Sequence, residues 1–230
     1  MGRSVFITAT DTGAGKSFIT AALTRALLAA GRDVAAIKPV SCGRREDELN
    51  DDVALLLKAQ GMDMADAGKI NLYDFAEFSA PAFAAPSANE AVDVRRLADW
   101  CDNVVEQHAL TLIEGIGGLF APLSMDMLVS DWLQRMPQAE VLLVVHARLG
   151  GINHALLTLE ALKQMRRSPS WIVVNGADAD SEAMLAQHCR AIAPRLCDEN
   201  TGDAGHLLSL TYSPPGVACV MPEALLVDFM

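Results

Sequence analysis

Five short runs of this chain are almost entirely apolar: Ser4–Thr8, Val34–Ile37, Leu110–Ile113, Val141–His146 and Trp171–Asn175. A strand with one wet face alternates polar and apolar residues, whereas a strand covered on both faces does not. Uninterrupted runs therefore point to a parallel sheet with helices on both sides. The helices are supplied by Ser17–Ala30, Asp51–Gln60, Asp93–His108, Ile152–Met165 and Ser181–Ile192, which carry helical spacing. Strand and helix in alternation predict an α/β fold, doubly wound, with a mainly parallel sheet flanked by helices. Phe75–Pro86 and Tyr212–Gly216, rich in proline and small residues, read as ordered loops rather than linkers. With no repeat or low-complexity tract, residues 1–230 are expected to form a single domain.

Charge narrows the partners. A net charge of −11 argues against a general nucleic-acid or polybasic membrane surface, because phosphate backbones need clustered Lys and Arg. Any anion must be captured locally. The five cysteines, at 42, 101, 189, 197 and 219, include no Cys-x-x-Cys pair and leave at least one without an intramolecular partner. With no secretory signal and no stretch long enough to span a membrane, a reduced, cytoplasmic setting is expected.

A local anion trap is present. The run Ala9-Thr-Asp-Thr-Gly-Ala-Gly-Lys-Ser17 follows an apolar strand and opens a helix that ends at Gly31. Thr12, Gly13, Ala14 and Gly15 form a turn whose N–H groups can point at phosphate, aided by the helix N-terminus. Lys16 is placed to reach the β- and γ-phosphates and Ser17 to ligate Mg²⁺. This is a phosphate-binding loop in its required strand–turn–helix context.

Three more segments fall at carboxyl ends of the predicted parallel strands or at a following helix start, where such sheets keep their chemistry. They are Lys38-Pro-Val, Asn50-Asp-Asp52 and Glu114-Gly-Ile-Gly117-Gly. They offer a second cation and separate carboxylates, Asp52 and Glu114, suited to a hard metal ion. Singly, each also fits an ordinary role as strand-end lysine, helix cap or turn residue.

Taken in order, "ATDTGAGKS", "KPV", "NDD", "EGIGGLFAPL", "LGGINHALLTLEAL" and "VVN" resemble the blocks of the dethiobiotin synthetase family, over residues 5 to about 175. The resemblance implies a P-loop NTPase fold and closure of a cyclic urea on 7,8-diaminononanoate with CO₂ and ATP. A carbamate formed on one amine is phosphorylated and then attacked by the second amine. By resemblance, Lys16 and Lys38 are catalytic and Ser17, Asp52 and Glu114 hold Mg²⁺. Thr12 to Ser17, Glu114, Gly117 and Asn175 bind nucleotide, while Lys38, Ser41, Gly150, Gly151, Ile152 and Asn153 bind substrate. The last four are implied to serve the neighbouring subunit's site in a homodimer. A helix start there has N–H groups suited to a carboxylate.

The chain departs from the family pattern in three places. Ala9 stands at the loop's first glycine, Cys42 where serine is frequent, and the tail "RLCDENTGDAGHLLSL" lacks the family's Gly-x-x-Pro. Asn175-Gly-Ala-Asp178 lacks the lysine of GTP-selective loops, so ATP is expected over GTP. His154 adjoins a family block but is read as structural. Two other readings share the fold. A cobyrinate-type amidotransferase adds a glutamine-hydrolysing domain, for which the chain leaves no room. A partitioning-type ATPase carries a second lysine in the loop, which Thr10–Ala14 lacks.

Overall fold

The computed structural model describes residues 2–44, 48–88, 90–176, 182–195, 206–210 and 223–229. In chain order its strands are β1 (Arg3–Ala9), β2 (Val34–Ile37), β3 (Val40–Cys42), β4 (Tyr73–Phe75), β5 (Leu110–Glu114), β6 (Glu140–His146), β7 (Trp171–Asn175) and β8 (His206–Leu210). The helices are α1 (Lys16–Ala29), α2 (Asp51–Gln60), α3 (Ala67–Ile70), α4 (Pro81–Ser87), α5 (Val94–Val105), α6 (Val129–Gln134), α7 (Gly151–Gln164), α8 (Glu182–Ile192) and α9 (Glu223–Val227).

All five apolar runs enter one parallel sheet of order β2-β5-β1-β6-β7-β8. Every residue of β2, β5 and β7 is buried, as double-sided coverage requires. The order reverses at β1, whose neighbours β5 and β6 lead away in opposite directions, so a crevice opens above its carboxyl end. Pairing of Ile7 with Glu114 sets the acidic end of β5 beside the phosphate loop that leaves β1.

Beyond the expected elements, β3 and β4 form a separate parallel pair, and β8 extends the main sheet. Phe75–Pro86 is more ordered than the loop expected for it. It begins at the end of β4, and Pro81 starts α4. Proline at a helix's first position has its φ already set and lacks only an N–H that would go unused, and the alanines that follow favour helix. Tyr212–Gly216, the Asp178 position and most of the altered tail lie outside the described residues.

The helix of the phosphate loop ends as its sequence suggests. Gly31 adopts φ 74°, and the Gly31 and Arg32 amides donate to the Leu28 and Leu27 carbonyls, closing a Schellman motif. The same pair of bonds ends α7, but there the left-handed position is held by Arg166, with φ 56°. Cys42, Cys101 and Cys189 are free thiols; Cys197 and Cys219 lie outside the described residues.

Candidate active site

The phosphate loop is built by glycine geometry at two positions. Gly13 and Gly15 take φ 75° and 95°, which turns successive amides to one side. A Cβ on Gly15 would also overlap the Asn175 amide nitrogen, which donates to the Ala14 carbonyl at 3.0 Å. The end of β7 thus clamps the loop from below. Ala9 ends β1 fully buried in the core, and among the described residues only Arg166 combines a side chain with positive φ. With Ala9 in the strand, the loop makes its turns at Gly13 and Gly15 and needs no glycine at position 9.

Two lysines converge on the loop. Lys16 Nζ donates to the Gly117 carbonyl at 2.7 Å and to that of Asp11 at 3.5 Å. Burial, then the Lys38 charge, lowers its pKa to about 8, against the pull of Glu114, Asp52 and Asp11. Lys38, 3 % exposed, donates to Glu114 Oε1 at 2.6 Å and to the Gly115 carbonyl at 3.0 Å, with Asp52 Oδ2 at 3.4 Å. Burial opposes its charge, but Glu114 and then Asp52 outweigh burial and raise its pKa. The Asp52 carboxyl, half-exposed, likewise loses some acidity to burial. The Lys38 charge and a hydrogen bond from Ser17 together more than restore it, holding the group below the usual carboxylate range.

The oxygens here suit a hard divalent cation. Glu114 Oε1 accepts from Ser17 Oγ at 2.6 Å as well as from Lys38. Glu114 Oε2 is buried and finds no hydrogen-bond donor among the described residues, an orphan that a cation would satisfy. Among those residues, no group of three or more His, Cys, Asp and Glu could hold a metal. Ser17, Asp52 and Glu114 instead offer a hydroxyl and two carboxylates, leaving the other positions to phosphate and water, as Mg²⁺ prefers.

Thr12, Gly13, Gly15, Lys16, Ser17, Lys38, Asp52 and Gly117 line a cleft of about 530 Å³. Leu55, Phe78, Pro81 and Ile116 add apolar lining. Sequence reasoning missed these apolar lining residues. A phenylalanine inside "FAEFSAP" was their only signal, and Phe78 borders the cleft while 90 % exposed. Cys42 lines the cleft, its thiol pushed up to about 12 by burial despite the Lys38 charge. Ser41 does not line it; its hydroxyl donates to Asp74 at 2.8 Å and accepts from Asn71 at 3.3 Å. Alternation along β3 turns neighbouring side chains to opposite faces.

Gly150, Gly151, Ile152 and Asn153 also lie outside the cleft, at the start of α7. The two regions are tied through the phosphate loop, since Arg148 pairs with Asp11. Asn175 supports the loop from below, and Glu114 sits beneath the cleft floor, bonded to two of its lining residues.

A family model described as an AAA domain matches residues 3–198. The ATP-dependent dethiobiotin synthetase BioD of Serratia marcescens is 35% identical over 202 residues, covering 86% of this chain and 88% of its own. The BioD of Cellvibrio japonicus is 34% identical, with 91% and 96% covered. The chain belongs to the dethiobiotin synthetase family. Solved structures of a ParA family ATPase from Chlorobium tepidum and of MinD from Pyrococcus horikoshii, the latter complexed with Mg-ADP, share its fold. Their TM-scores are 0.56 and 0.51 at 14% and 18% identity, with 93% and 83% of this chain and 86% and 77% of theirs covered. Lys16, Lys38, Ser17, Asp52 and Glu114, which the resemblance singled out, are side chains that the fold brings together.

Proposed function

We propose that this protein closes the ureido ring of dethiobiotin on 7,8-diaminononanoate, using CO₂ and ATP, within one domain. The observation that carries the reading is the convergence of Lys16 and Lys38 on the phosphate loop, with Ser17, Asp52 and Glu114 beside them. One amine of the substrate adds to CO₂ and loses a proton, giving a carbamate. A carbamate oxygen takes the γ-phosphoryl group of ATP, releasing ADP. The second amine then attacks the carbamate carbon, closes the ring, loses a proton and expels phosphate.

Positioning and charge are what such a transfer needs, because the transition state spreads negative charge over the phosphoryl oxygens. Lys16, pinned by backbone carbonyls, neutralises the β–γ side. Lys38, held by Glu114 and Asp52, faces the carbamate side. Ser17, Asp52 and Glu114 would hold Mg²⁺, which when bound offsets charge on the phosphates. Leu55, Phe78, Pro81 and Ile116 fit the methylene chain of the diamine.

The working form in this reading is a homodimer, in which the Gly150–Asn153 turn of one subunit takes the substrate carboxylate in the other's site. In support, the turn lies outside its own cleft, and Phe120, Leu149 and Leu157 are exposed large apolar residues, two of them beside a groove with Thr10 and Asp11. Cytoplasmic location agrees with the three free thiols.

The reading is tested by incubating the protein with diaminononanoate, bicarbonate, Mg²⁺ and either ATP or GTP, following product by mass spectrometry. Dethiobiotin should form, with ATP preferred at subsaturating nucleotide. Slow hydrolysis without any acceptor product would favour the partitioning-type reading instead.

A further inference from the structure

Gly151, the first residue of α7, is confined from two sides. A Cβ there would lie 2.6 Å from His188 Nε2 and would overlap the His146 carbonyl oxygen. His188, on α8, is 1 % exposed. Its Nδ1 stands 2.7 Å from the Met184 carbonyl, which can only accept, so Nδ1 carries the proton and Nε2 is a bare lone pair. Among the described residues this Nε2 has no donor. Protein interiors seldom leave such an acceptor unpaired, and doing so is destabilising. A leucine would fill much of the same space without that cost.

What Nε2 faces gives the histidine a use. The first turn of a 14-residue helix carries the positive end of its dipole and amides without partners in the helix. A lone pair is favoured beside that positive end. The ring also sets the height of the turn, since only a glycine backbone fits between it and the end of β6. Gly150, at φ 83°, makes the bend that brings the chain there.

We propose that His188 is a positioning residue for substrate. It holds the Gly150–Asn153 turn, whose Gly151 amide donates to the Arg148 carbonyl at 2.8 Å, so that the Ile152 and Asn153 amides converge on the diamine's carboxylate, and stability is given up for that geometry. The inference rests on the role assigned to this turn under the proposed function.

The test compares His188→Leu, His188→Gln and Asn153→Ala in the full-length protein by steady-state kinetics and thermal unfolding. In His188→Leu the KM for diaminononanoate should rise about tenfold, with kcat and the KM for ATP within about twofold of the parent. Its Tm should be equal or higher. His188→Gln, whose amide oxygen reaches the place of Nε2, should recover most of the loss. An unchanged diamine KM in His188→Leu overturns the proposal. If Asn153→Ala nevertheless raises that KM, the role of the turn stands and only the positioning role falls. If Asn153→Ala leaves it unchanged, both fall. Should the leucine variant fail to fold, ¹⁵N NMR of the parent protein decides: the His188 Nε2 resonance, assigned by its loss in His188→Gln, should shift when diamine and a non-hydrolysable ATP analogue are added. No shift overturns the proposal.

Discussion

Lys38 and Glu114, 76 residues apart in sequence, meet at 2.6 Å, with 3 % and 0 % of their side chains exposed. A charge pair this deep is held by its geometry, and losing one partner strands the other. Lys38→Met should therefore cut turnover about 100- to 1,000-fold and also destabilise the fold by about 3–5 kcal/mol. Lys38→Met/Glu114→Gln, which removes both charges, should regain much of the stability and none of the activity. Urea unfolding alongside turnover measurements checks both, and near-normal turnover in folded Lys38→Met removes the lysine from the mechanism.

Lys16 should give the enzyme an alkaline limit. With its pKa lowered to about 8 in the free protein, the ammonium is lost as pH rises through that value, and with it the charge that phosphates need. The ratio kcat/KM for ATP should then fall about tenfold per pH unit above pH ~8, while below it the profile is flat on this account. In Lys16→Arg, which stays charged, the alkaline limb should disappear even though the level of activity is lower. A limb that persists unchanged in Lys16→Arg would assign the titration to another group.

Gly15→Ala should abolish nucleotide binding by calorimetry, because the new Cβ meets the Asn175 amide and φ is 95°. Gly15→Ala/Asn175→Ala relieves the overlap but not the backbone strain of about 1–3 kcal/mol, so it should recover only part of the affinity. Full recovery would show that the clash alone mattered.

Arg166 ends α7 in the left-handed region at φ 56°, where a side chain crowds the carbonyl. Its side chain is exposed. Arg166→Gly should stabilise the protein by about 1 kcal/mol, raising Tm by roughly 2–4 °C without changing kinetics. A lower Tm would mean that the arginine makes compensating contacts.

Shared sites make a quantitative prediction. Asn153→Ala and Lys16→Ala chains, each nearly inactive alone, should complement after subunit exchange. In a heterodimer one site carries both defects and the other neither, so random pairing recovers about a quarter of parental activity. No recovery, with exchange confirmed by native mass spectrometry, places Asn153 outside the partner's site.

Five of the main sheet's six strands were legible in the sequence because strands covered on both faces must be apolar throughout, and this requirement is local; β8, largely unburied, carries no such run. The phosphate loop was legible for a similar reason: Gly13, Gly15, Lys16 and Ser17 act through the backbone and helix start that they themselves form. Lys38, Asp52 and Glu114 could be named from their places at element ends, but their mutual distances could not. Those depend on the order in which strands are laid beside one another, which set Glu114 against Ile7 and brought Lys38 over it. The same long-range pairing turned Ser41 away and Cys42 toward the cleft. It also supplied Leu55, Phe78, Pro81 and Ile116 as an apolar wall, and buried His188 against Gly151. Periodicity and turn chemistry are written in neighbouring residues. Which side chains share a cavity is decided only when distant segments pack.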